Sequence, residues 1–270
     1  MELAVISDTQ FSNGKTQIKM SNILILISLV ILTSLSYERE NTFNLGKKTC
    51  KLSAIGQDDK LGKFISLHDN ENTSVEAFAS IKTLLPGCKL FELKQKEERL
   101  ILYEMKGKDY LFDPNRIFSK IGIKSTLAKY NNSFPIELEK GIALFADSLL
   151  ATMKINNTKS YIVAIHNNTN NDFSILSYKN SKDADEVYVN SSTDIDNFFI
   201  VTAKTDFDYF KANKRNVVLQ SEQASDDGSL SIYCQKKKLH YINVEVQHGQ
   251  KEEQVKMIQE AYSLIKYKSK

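Results

Sequence analysis

One continuous apolar run constrains the fold of this chain more than any other stretch. Residues 161–165 read Tyr-Ile-Val-Ala-Ile without a polar interruption, which is typical of a strand buried on both faces. Residues 61–67 form a second strong strand pattern around Phe64 and Ile65. A strand that is buried on both faces needs a layer of helices on each side of its sheet, so these runs predict an α/β fold.

Strand and helix patterns alternate along the rest of the chain. Helical spacing of apolar residues occurs over residues 74–85, 136–155, 206–213 and 250–267. Strand patterns occur over residues 89–94, 198–202, 216–220, 230–234 and 241–246, and residues 99–112 are typical of a hairpin. We therefore predict a single α/β domain with a central mixed, mostly parallel sheet flanked by helices. It would span residues 61–270, with residues 37–60 as a lead-in.

The first 36 residues have a different character. An apolar run at residues 23–32 is followed by Ser34-Leu35-Ser36, and its core of about ten to fourteen residues is shorter than the ~20 needed to span a bilayer. This pattern predicts a signal peptide with a small-residue cleavage site, and so an exported protein, periplasmic or extracellular. An uncleaved membrane anchor at residues 22–36 is the alternative, and Met20 is an alternative start.

Charge and cysteine content exclude several classes of protein. The net charge of +3 over 270 residues, with no basic stripe carrying aromatic residues, does not indicate nucleic-acid binding. Membrane contact is expected only through the N-terminal apolar segment. Cys50, Cys88 and Cys234 form no Cys-x-x-Cys motif, so a cysteine zinc site is not expected. Buried structural cysteines are favoured, although one disulfide could close in an oxidising compartment.

Two histidines follow directly on the two strongest strand patterns. His68 follows residues 61–67 and His166 follows residues 161–165, and Glu71 lies three positions after His68. Ligands of open α/β sheets bind outside the carboxyl ends of the strands, where these side chains are expected. Two imidazoles and one carboxylate form a ligand set of hydrolytic zinc. A lone histidine would more often be structural, and only the combination predicts a metal site.

Two further positions stand out for their chemistry. Glu245 lies within the apolar strand pattern 241–246, where a carboxylate is costly without a partner or a role. It is a candidate general base, with a structural ion pair as the alternative. The turn Asp113-Pro114-Asn115-Arg116 carries one of only four arginines in the chain, and the planar fork of Arg116 suits a carboxylate. An ordinary turn that ends the hairpin is the alternative.

These motifs, in this order, resemble the zinc carboxypeptidase superfamily. The similarity is to its aspartoacylase and succinylglutamate desuccinylase branch and to related bacterial carboxypeptidases, and it spans about residues 61–250. The motifs that carry it are His68-Asp69-Asn70-Glu71, Asp113-Pro114-Asn115-Arg116, His166 and Glu245. Pro114 departs from the apolar Leu that is usual in the family.

The resemblance implies a role for each of these residues. His68, Glu71 and His166 would be the ligands of one zinc ion, and Glu245 would be the general base and acid. Asn115 and Arg116 would hold the substrate carboxylate or polarise the scissile carbonyl. Tyr233 and Tyr241 are candidates for the proton-donating or gating tyrosine of the family. Arg99 is a candidate for a second arginine that binds substrate, and His248 is a candidate for orienting the base.

The sequence thus predicts an exported zinc-dependent hydrolase of amide bonds. Its substrate would be a peptide or acyl-amino acid that bears a carboxylate, with a cell-wall peptide favoured by the expected location. The alternative is a non-catalytic binding protein of the same fold at the cell envelope. A serine hydrolase is disfavoured, because the chain contains no Gly-x-Ser-x-Gly motif.

Overall fold

The apolar run at residues 161–165 lies at the centre of a nine-stranded sheet in the computed structural model of the chain. The structure describes residues 40–156, 158–170 and 173–270, and the predicted signal peptide or anchor at residues 1–36 lies outside them. The strands are β1 (Asn41–Leu45), β2 (Lys48–Ile55), β3 (Gly62–Ser66), β4 (Cys88–Lys94), β5 (Ile101–Met105), β6 (Lys108–Phe112), β7 (Tyr161–Asn168), β8 (Ala184–Tyr188), β9 (Phe198–Val201), β10 (Val217–Gln220) and β11 (Tyr241–Gln247).

The large sheet is mixed, as predicted, although only half of its strand pairs are parallel instead of most of them. Its strands follow the order β1-β2-β4-β3-β7-β11-β9-β10-β8, while β5 and β6 form a separate hairpin. The four adjacent central strands β4, β3, β7 and β11 pair in parallel. Four of the eight neighbouring pairs are parallel, and the other four are antiparallel. Parallel neighbours need crossover connections, which place helices over the sheet.

Six α-helices and three short 3-10 helices accompany the strands in the described residues. The α-helices are α1 (Asn72–Ile81), α2 (Lys120–Tyr130), α3 (Ile136–Thr152), α4 (Lys204–Ala212), α5 (Leu230–Lys236) and α6 (Lys251–Lys268). None of the helices in this part of the chain is long and apolar enough to cross a bilayer. The six α-helices and the nine-stranded sheet confirm the prediction of an α/β fold flanked by helices.

The two faces of β7 belong to two different hydrophobic layers. Ile162 and Ala164 pack in the layer that contains α2, α3, α5 and the hairpin. Val163 and Ile165 pack in the layer that contains α1, α4 and α6. Successive side chains of a strand point to opposite faces of the sheet. Because a hydrophobic layer covers each face, all four side chains are fully buried. This double burial is why the run at residues 161–165 contains no polar residue.

Some local predictions need correction or addition. Residues 41–55, within the predicted lead-in, contribute β1 and β2 to the large sheet. The predicted strand at residues 230–234 is wrong, because Leu230–Lys236 is helix α5. The Oγ of Ser229 accepts from the backbone N–H of Ile232 and caps this helix. Leu230, Ile232 and Cys234 are buried, an alternation that imitates a strand. Helix α2 was not predicted.

The three cysteines are buried and carry free thiols. Cys50 packs in the same layer as α3, and Cys88 packs in the layer of α6. Burial raises the pKa of the Cys50 and Cys88 thiols to about 12. These are structural cysteines, as expected, because a thiolate is disfavoured in such surroundings.

Truncation of Phe64 tests the buried face of β3. Its side chain is fully buried and its ring lies 5.0 Å from the ring of Phe78, centroid to centroid. We expect Phe64→Ala to lower the free energy of unfolding by about 3–5 kcal/mol, because a cavity is left behind. Urea denaturation measures this change. The control Leu144→Ala, at a side chain that is 67% exposed, should change stability by less than about 0.5 kcal/mol, and equal effects would contradict the assigned core.

Candidate metal centre

His68 and Glu71 lie in the short connection between β3 and α1. The backbone N–H of Glu71 donates to the carbonyl oxygen of His68 at 3.1 Å, which closes the turn. The Oγ of Ser74 donates to the carbonyl of Glu71 at 2.8 Å, and the backbone N–H of Ser74 donates to Oδ1 of Asn167 at 2.9 Å. These bonds fix the turn against the carboxyl end of β7, where His166 lies.

The three predicted metal ligands come together in one buried cluster. Nδ1 of His68 lies 2.7 Å from Oε1 of Glu71, and Nδ1 of His166 lies 2.8 Å from Oε2 of the same carboxylate. One potential ligand atom from each residue lies within 4.8 Å of the others. All three residues are at most 4% exposed. Residues that are 95 positions apart therefore converge through the parallel pairing of β3 with β7.

Asp113 and Arg99 surround this cluster. Oδ1 of Asp113 lies 2.9 Å from Nε2 of His68. Arg99 donates from Nη1 to Oε1 of Glu71 at 3.0 Å, and its Nη2 lies 3.5 Å from Oδ2 of Asp113. Sequence reasoning assigned no role to Asp113 beyond the turn. Its contact with His68 depends on the hairpin packing near the end of β3, which no local pattern reveals.

Neighbouring charged groups strongly shift the pKa values of His68, Glu71 and Asp113. Burial alone would lower the pKa of His68, but the carboxylates of Glu71 and Asp113 raise it to about 9. Burial alone would raise the pKa of Glu71, but His68 and His166 hold it well below its usual range. The pKa of Asp113 is likewise lowered, against its burial, by His68 and Arg99. The cluster thus holds its carboxylates ionised.

The donor set fits a zinc ion. Two imidazole nitrogens and one carboxylate are the three protein ligands of many catalytic zinc sites, which leave a position for water. His68 presents Nδ1 to the cluster because Nε2 is engaged by Asp113, and a carboxylate on the far nitrogen is the usual partner of a metal-bound histidine. His68, Glu71 and His166 are the residues that would hold the ion.

Glu245 lies next to this cluster. In the parallel pair of β11 and β7, Glu245 is the register partner of His166. Its side chain is buried, and Nδ2 of Asn243 donates to its Oε1 at 2.9 Å. Burial raises the pKa of Glu245, and Glu71 adds to this rise, while His166 and Asn243 oppose it. A carboxylate with a raised pKa beside a metal site is suited to accepting and returning a proton.

Asn115 and Arg116 follow Asp113 in a short 3-10 helix, Pro114–Arg116. Oδ1 of Asn115 accepts from the backbone N–H of Leu230 at 3.0 Å, so its amide group is oriented by α5. Nη1 of Arg116 donates to the carbonyl of Asn115 at 2.7 Å, and Nη2 lies 3.7 Å from Oδ2 of Asp227. Gly228 has a φ of +77°, and a Cβ there would lie 2.5 Å from the carbonyl oxygen of Arg116. Glycine therefore permits this close approach.

All six predicted site residues line one cavity of about 440 Å³. The candidates Arg99, Tyr241 and His248 line it as well. Tyr233 does not, and its hydroxyl donates to Asn156 instead. Tyr178 lines the cavity although sequence reasoning did not single it out. It comes from the short 3-10 helix Ile175–Tyr178, which lies between β7 and β8 along the chain.

The fold and the site together define an α/β domain with a buried His-Glu-His donor set beside a cleft that carries a carboxylate and two arginines. No protein-family model matches the chain, and no curated protein matches it. Several solved structures match the chain. A succinylglutamate desuccinylase from Chromobacterium violaceum is 12% identical, covers 85% of this chain and 74% of its own, and has a TM-score of 0.46.

Two further solved structures extend this comparison. A succinylglutamate desuccinylase/aspartoacylase from Rhodobacter sphaeroides is 10% identical, covers 86% of this chain and 67% of its own, and has a TM-score of 0.41. A murein-tripeptide amidase from Escherichia coli O157 is 13% identical, covers 84% of this chain and 91% of its own, and has a TM-score of 0.44. Members of the expected branch are thus among the solved folds that this chain is similar to.

Substitution of Asp113 tests the metal centre. We expect Asp113→Asn to weaken zinc binding about 10- to 100-fold, because it removes the carboxylate that orients His68. Competition with a chelating dye measures the zinc dissociation constant. Asp109→Asn, at an exposed position on β6, serves as the control. Equal zinc affinity in wild type and Asp113→Asn would contradict the assigned role.

Proposed function

We propose that this protein is a zinc-dependent hydrolase that cleaves an amide bond in a peptide or acyl-amino acid bearing a carboxylate. The observation that carries the proposal is the donor set of His68, Glu71 and His166 with Glu245 at the register position beside His166. A structural metal site would not need Glu245, a separate carboxylate with a raised pKa, as a fourth residue. A hydrolytic site needs such a group as a general base.

The roles of the residues follow from their positions. Zinc, when bound by His68, Glu71 and His166, supplies a water of lowered pKa and a positive charge near the scissile carbonyl. Glu245 takes the proton from the attacking water and returns it to the leaving nitrogen. The pKa of Glu245 is raised towards neutral pH, which suits proton transfer in both directions. Asn243 orients this carboxylate through the hydrogen bond to Oε1.

The arginines of the cleft are suited to binding substrate anions. Arg116 lines the cavity, and its ion pair with Asp227 is long, at 3.7 Å. Its Nη1 donates to the carbonyl of Asn115, which leaves further N–H groups of the guanidinium for a bidentate pair with a substrate carboxylate. Nδ2 of Asn115 adds a neutral donor, since within the described residues only the oxygen of this side-chain amide is hydrogen-bonded. Arg99 is anchored by Glu71 and Asp113 and adds positive charge near the scissile carbonyl.

Export is part of the proposal and is supported by the sequence alone. The apolar run at residues 23–32 and the small residues after it favour a signal peptide, with an anchor as the alternative. Export would make a peptide with a free carboxylate, such as a cell-wall peptide, a more accessible substrate than a cytosolic acyl-amino acid. The second candidate function is a binding protein without turnover. The burial of Glu245 beside the donor set favours the enzyme.

Substitution of Glu245 separates the two functions. We expect Glu245→Gln to keep the zinc content of wild type and to lower kcat at least 100-fold, because general acid–base catalysis contributes about 10²- to 10⁴-fold. Metal analysis and hydrolysis of a panel of peptides and acyl-amino acids measure both. Turnover that survives in the variant would contradict the role of Glu245. Wild-type protein without zinc would contradict the whole proposal.

Substitution of Arg116 tests carboxylate recognition. We expect Arg116→Gln to raise the KM of a substrate with a free carboxylate about tenfold or more, because a bidentate charge-assisted pair is lost. The same substrate with its carboxylate converted to an amide is the matched control, and its KM should change little. Lys120→Gln, at a nearby exposed residue on α2, controls for general loss of positive charge. A variant that still prefers the free carboxylate as wild type does would refute this assignment.

A further inference from the structure

A second concave surface lies at the β1–β2 hairpin and the end of β4. Its volume is about 380 Å³, and we call it the lysine groove. The residues that line it are Lys47, Lys48, Thr49, Lys51, Lys94, Gln95 and Lys96. Five of these seven residues are lysines and none is acidic. A concave surface lined by one sign of charge concentrates the electrostatic field and attracts ligands of opposite charge.

The lysine groove is only partly neutralised by neighbouring carboxylates. Lys48 pairs with Asp109 at 3.0 Å, Lys51 with Glu40 at 2.9 Å and Lys94 with Glu92 at 2.9 Å. Lys47 and Lys96 form no side-chain ion pair within the described residues. Both are exposed. Three carboxylates therefore pair with three of the five ammonium groups, and a fourth, that of Glu104, accepts from the backbone N–H of Lys47. The ammonium groups left for an anionic ligand are those of Lys47 and Lys96.

The floor of the lysine groove is fixed by hydrogen bonds. Gln95 is buried, and its Nε2 donates to the carbonyls of Thr49 and Leu102, both at 3.1 Å. Its Oε1 accepts from the backbone N–H of Leu102. The backbone N–H of Lys47 donates to Oε2 of Glu104 at 3.0 Å. The backbone that carries Lys47 and Lys96 is therefore held in place.

One short segment joins the lysine groove to the metal centre. The backbone N–H groups of Gln95 and Glu97 both donate to Oδ2 of Asp69 at 2.7 Å, and Asp69 follows the ligand His68. Arg99, at the end of the same segment, contacts Glu71 at 3.0 Å. Residues 95 and 99 are four steps apart, so their backbones are separated by at most about 14 Å. An extended peptide of about four residues spans that distance.

We propose that the lysine groove binds an acidic segment of a peptide substrate, remote from the bond that is cleaved. This rests on the proposed function only in that the substrate is a peptide. Carboxylates on neighbouring residues would pair with Lys47 and Lys96, while the scissile amide reaches the metal centre past Arg99. Binding energy from a remote segment helps to hold the reacting bond in place.

The chemistry of the lysine groove favours acidic peptide over nucleic acid. Its lining contains no aromatic side chain, whereas single-stranded nucleic acids are bound by basic grooves with aromatic stacking platforms. It contains no arginine either, the residue best suited to bidentate recognition of phosphate. Lysines act as separate point charges, which suits carboxylates on flexible side chains.

The test is a binding measurement that needs neither zinc nor turnover. A hexaglutamate peptide, acetylated, amidated and labelled with fluorescein, is titrated with the full-length, chelator-treated chain, and fluorescence anisotropy is recorded. Hexaglutamine is the uncharged control. We expect hexaglutamate to bind, hexaglutamine not to bind, and affinity to fall as salt is raised. The double variant Lys47→Glu, Lys96→Glu should weaken binding about tenfold or more, because two attractive charges become repulsive.

A matched double variant controls for net charge. Lys237 and Lys238 are exposed, and Lys238 shares with Lys96 a left-handed backbone, with φ values of 55° and 62°. Lys237→Glu with Lys238→Glu should leave hexaglutamate affinity close to that of wild type. Equal weakening in both double variants, or no binding by wild type, would overturn the proposal. Tighter binding of a single-stranded oligonucleotide of equal charge would also overturn it.

Turnover then separates this inference from the proposed function. In the variant at Lys47 and Lys96, hydrolysis of a short substrate that ends at the metal centre should be unchanged. The KM of a peptide that carries upstream glutamates should rise about tenfold. Hydrolysis without any effect of upstream glutamates would refute the lysine groove and leave the hydrolase intact. Binding of hexaglutamate by a chain without any hydrolytic activity would refute the hydrolase and leave the lysine groove as a binding site for acidic peptide.

Discussion

The carboxylate of Glu71 is the interaction on which the rest of the site depends. Its two oxygens lie 2.7 and 2.8 Å from imidazole nitrogens of His68 and His166, and Arg99 contacts the first of them. A buried carboxylate is costly unless it is paired and hydrogen-bonded. Glu71 meets that condition only if β3 and β7 are neighbours and the hairpin carries Arg99 and Asp113 to the same place. The packing of β3, β7 and the hairpin is therefore coupled to one side chain.

Strand register decides whether this cluster can have a catalytic partner. In the parallel pair of β7 and β11, His166 and Glu245 are opposite one another. Side chains alternate between the faces of a strand, so a shift of one residue would move Glu245 to the other side of the sheet. There it would enter the apolar layer of α6, among Met257, Ile258 and Ala261. The two hydrophobic layers thus fix the register, and the register positions Glu245.

The cavity divides charge in a way that suits an anionic substrate. Glu71 and Asp113 are contacted by the two histidines and by Arg99, whereas the ion pair of Arg116 with Asp227 is long, at 3.7 Å. Lys47 and Lys96, which form no ion pair within the described residues, add positive charge in the lysine groove. A substrate with carboxylates at both ends would be attracted to both surfaces. On the proposed function, this arrangement would select a peptide by its charge as well as by the bond that is cleaved.

Local signals in the sequence were strong where burial is extreme. The apolar runs around Phe64, Val163 and Val244 indicate β3, β7 and β11, and these strands carry or precede the three side chains at positions 68, 166 and 245. The alternation at residues 230–234 misled, because Ser229 caps a helix there and α5 buries the same residues. Tyr178 gave no signal, since its place in the cavity comes from a 3-10 helix inside a polar stretch.

By itself, the sequence determined that this chain forms an α/β sheet and that two histidines, a glutamate and a late carboxylate lie at or near the ends of its buried strands. Hydrophobic periodicity is a local property, and it can be read along the chain. Only the tertiary structure decided that Asp113 and Arg99 complete the cluster around Glu71 and that five lysines line one groove. Those contacts join residues far apart in sequence, and they depend on strand order and register, which no local pattern contains.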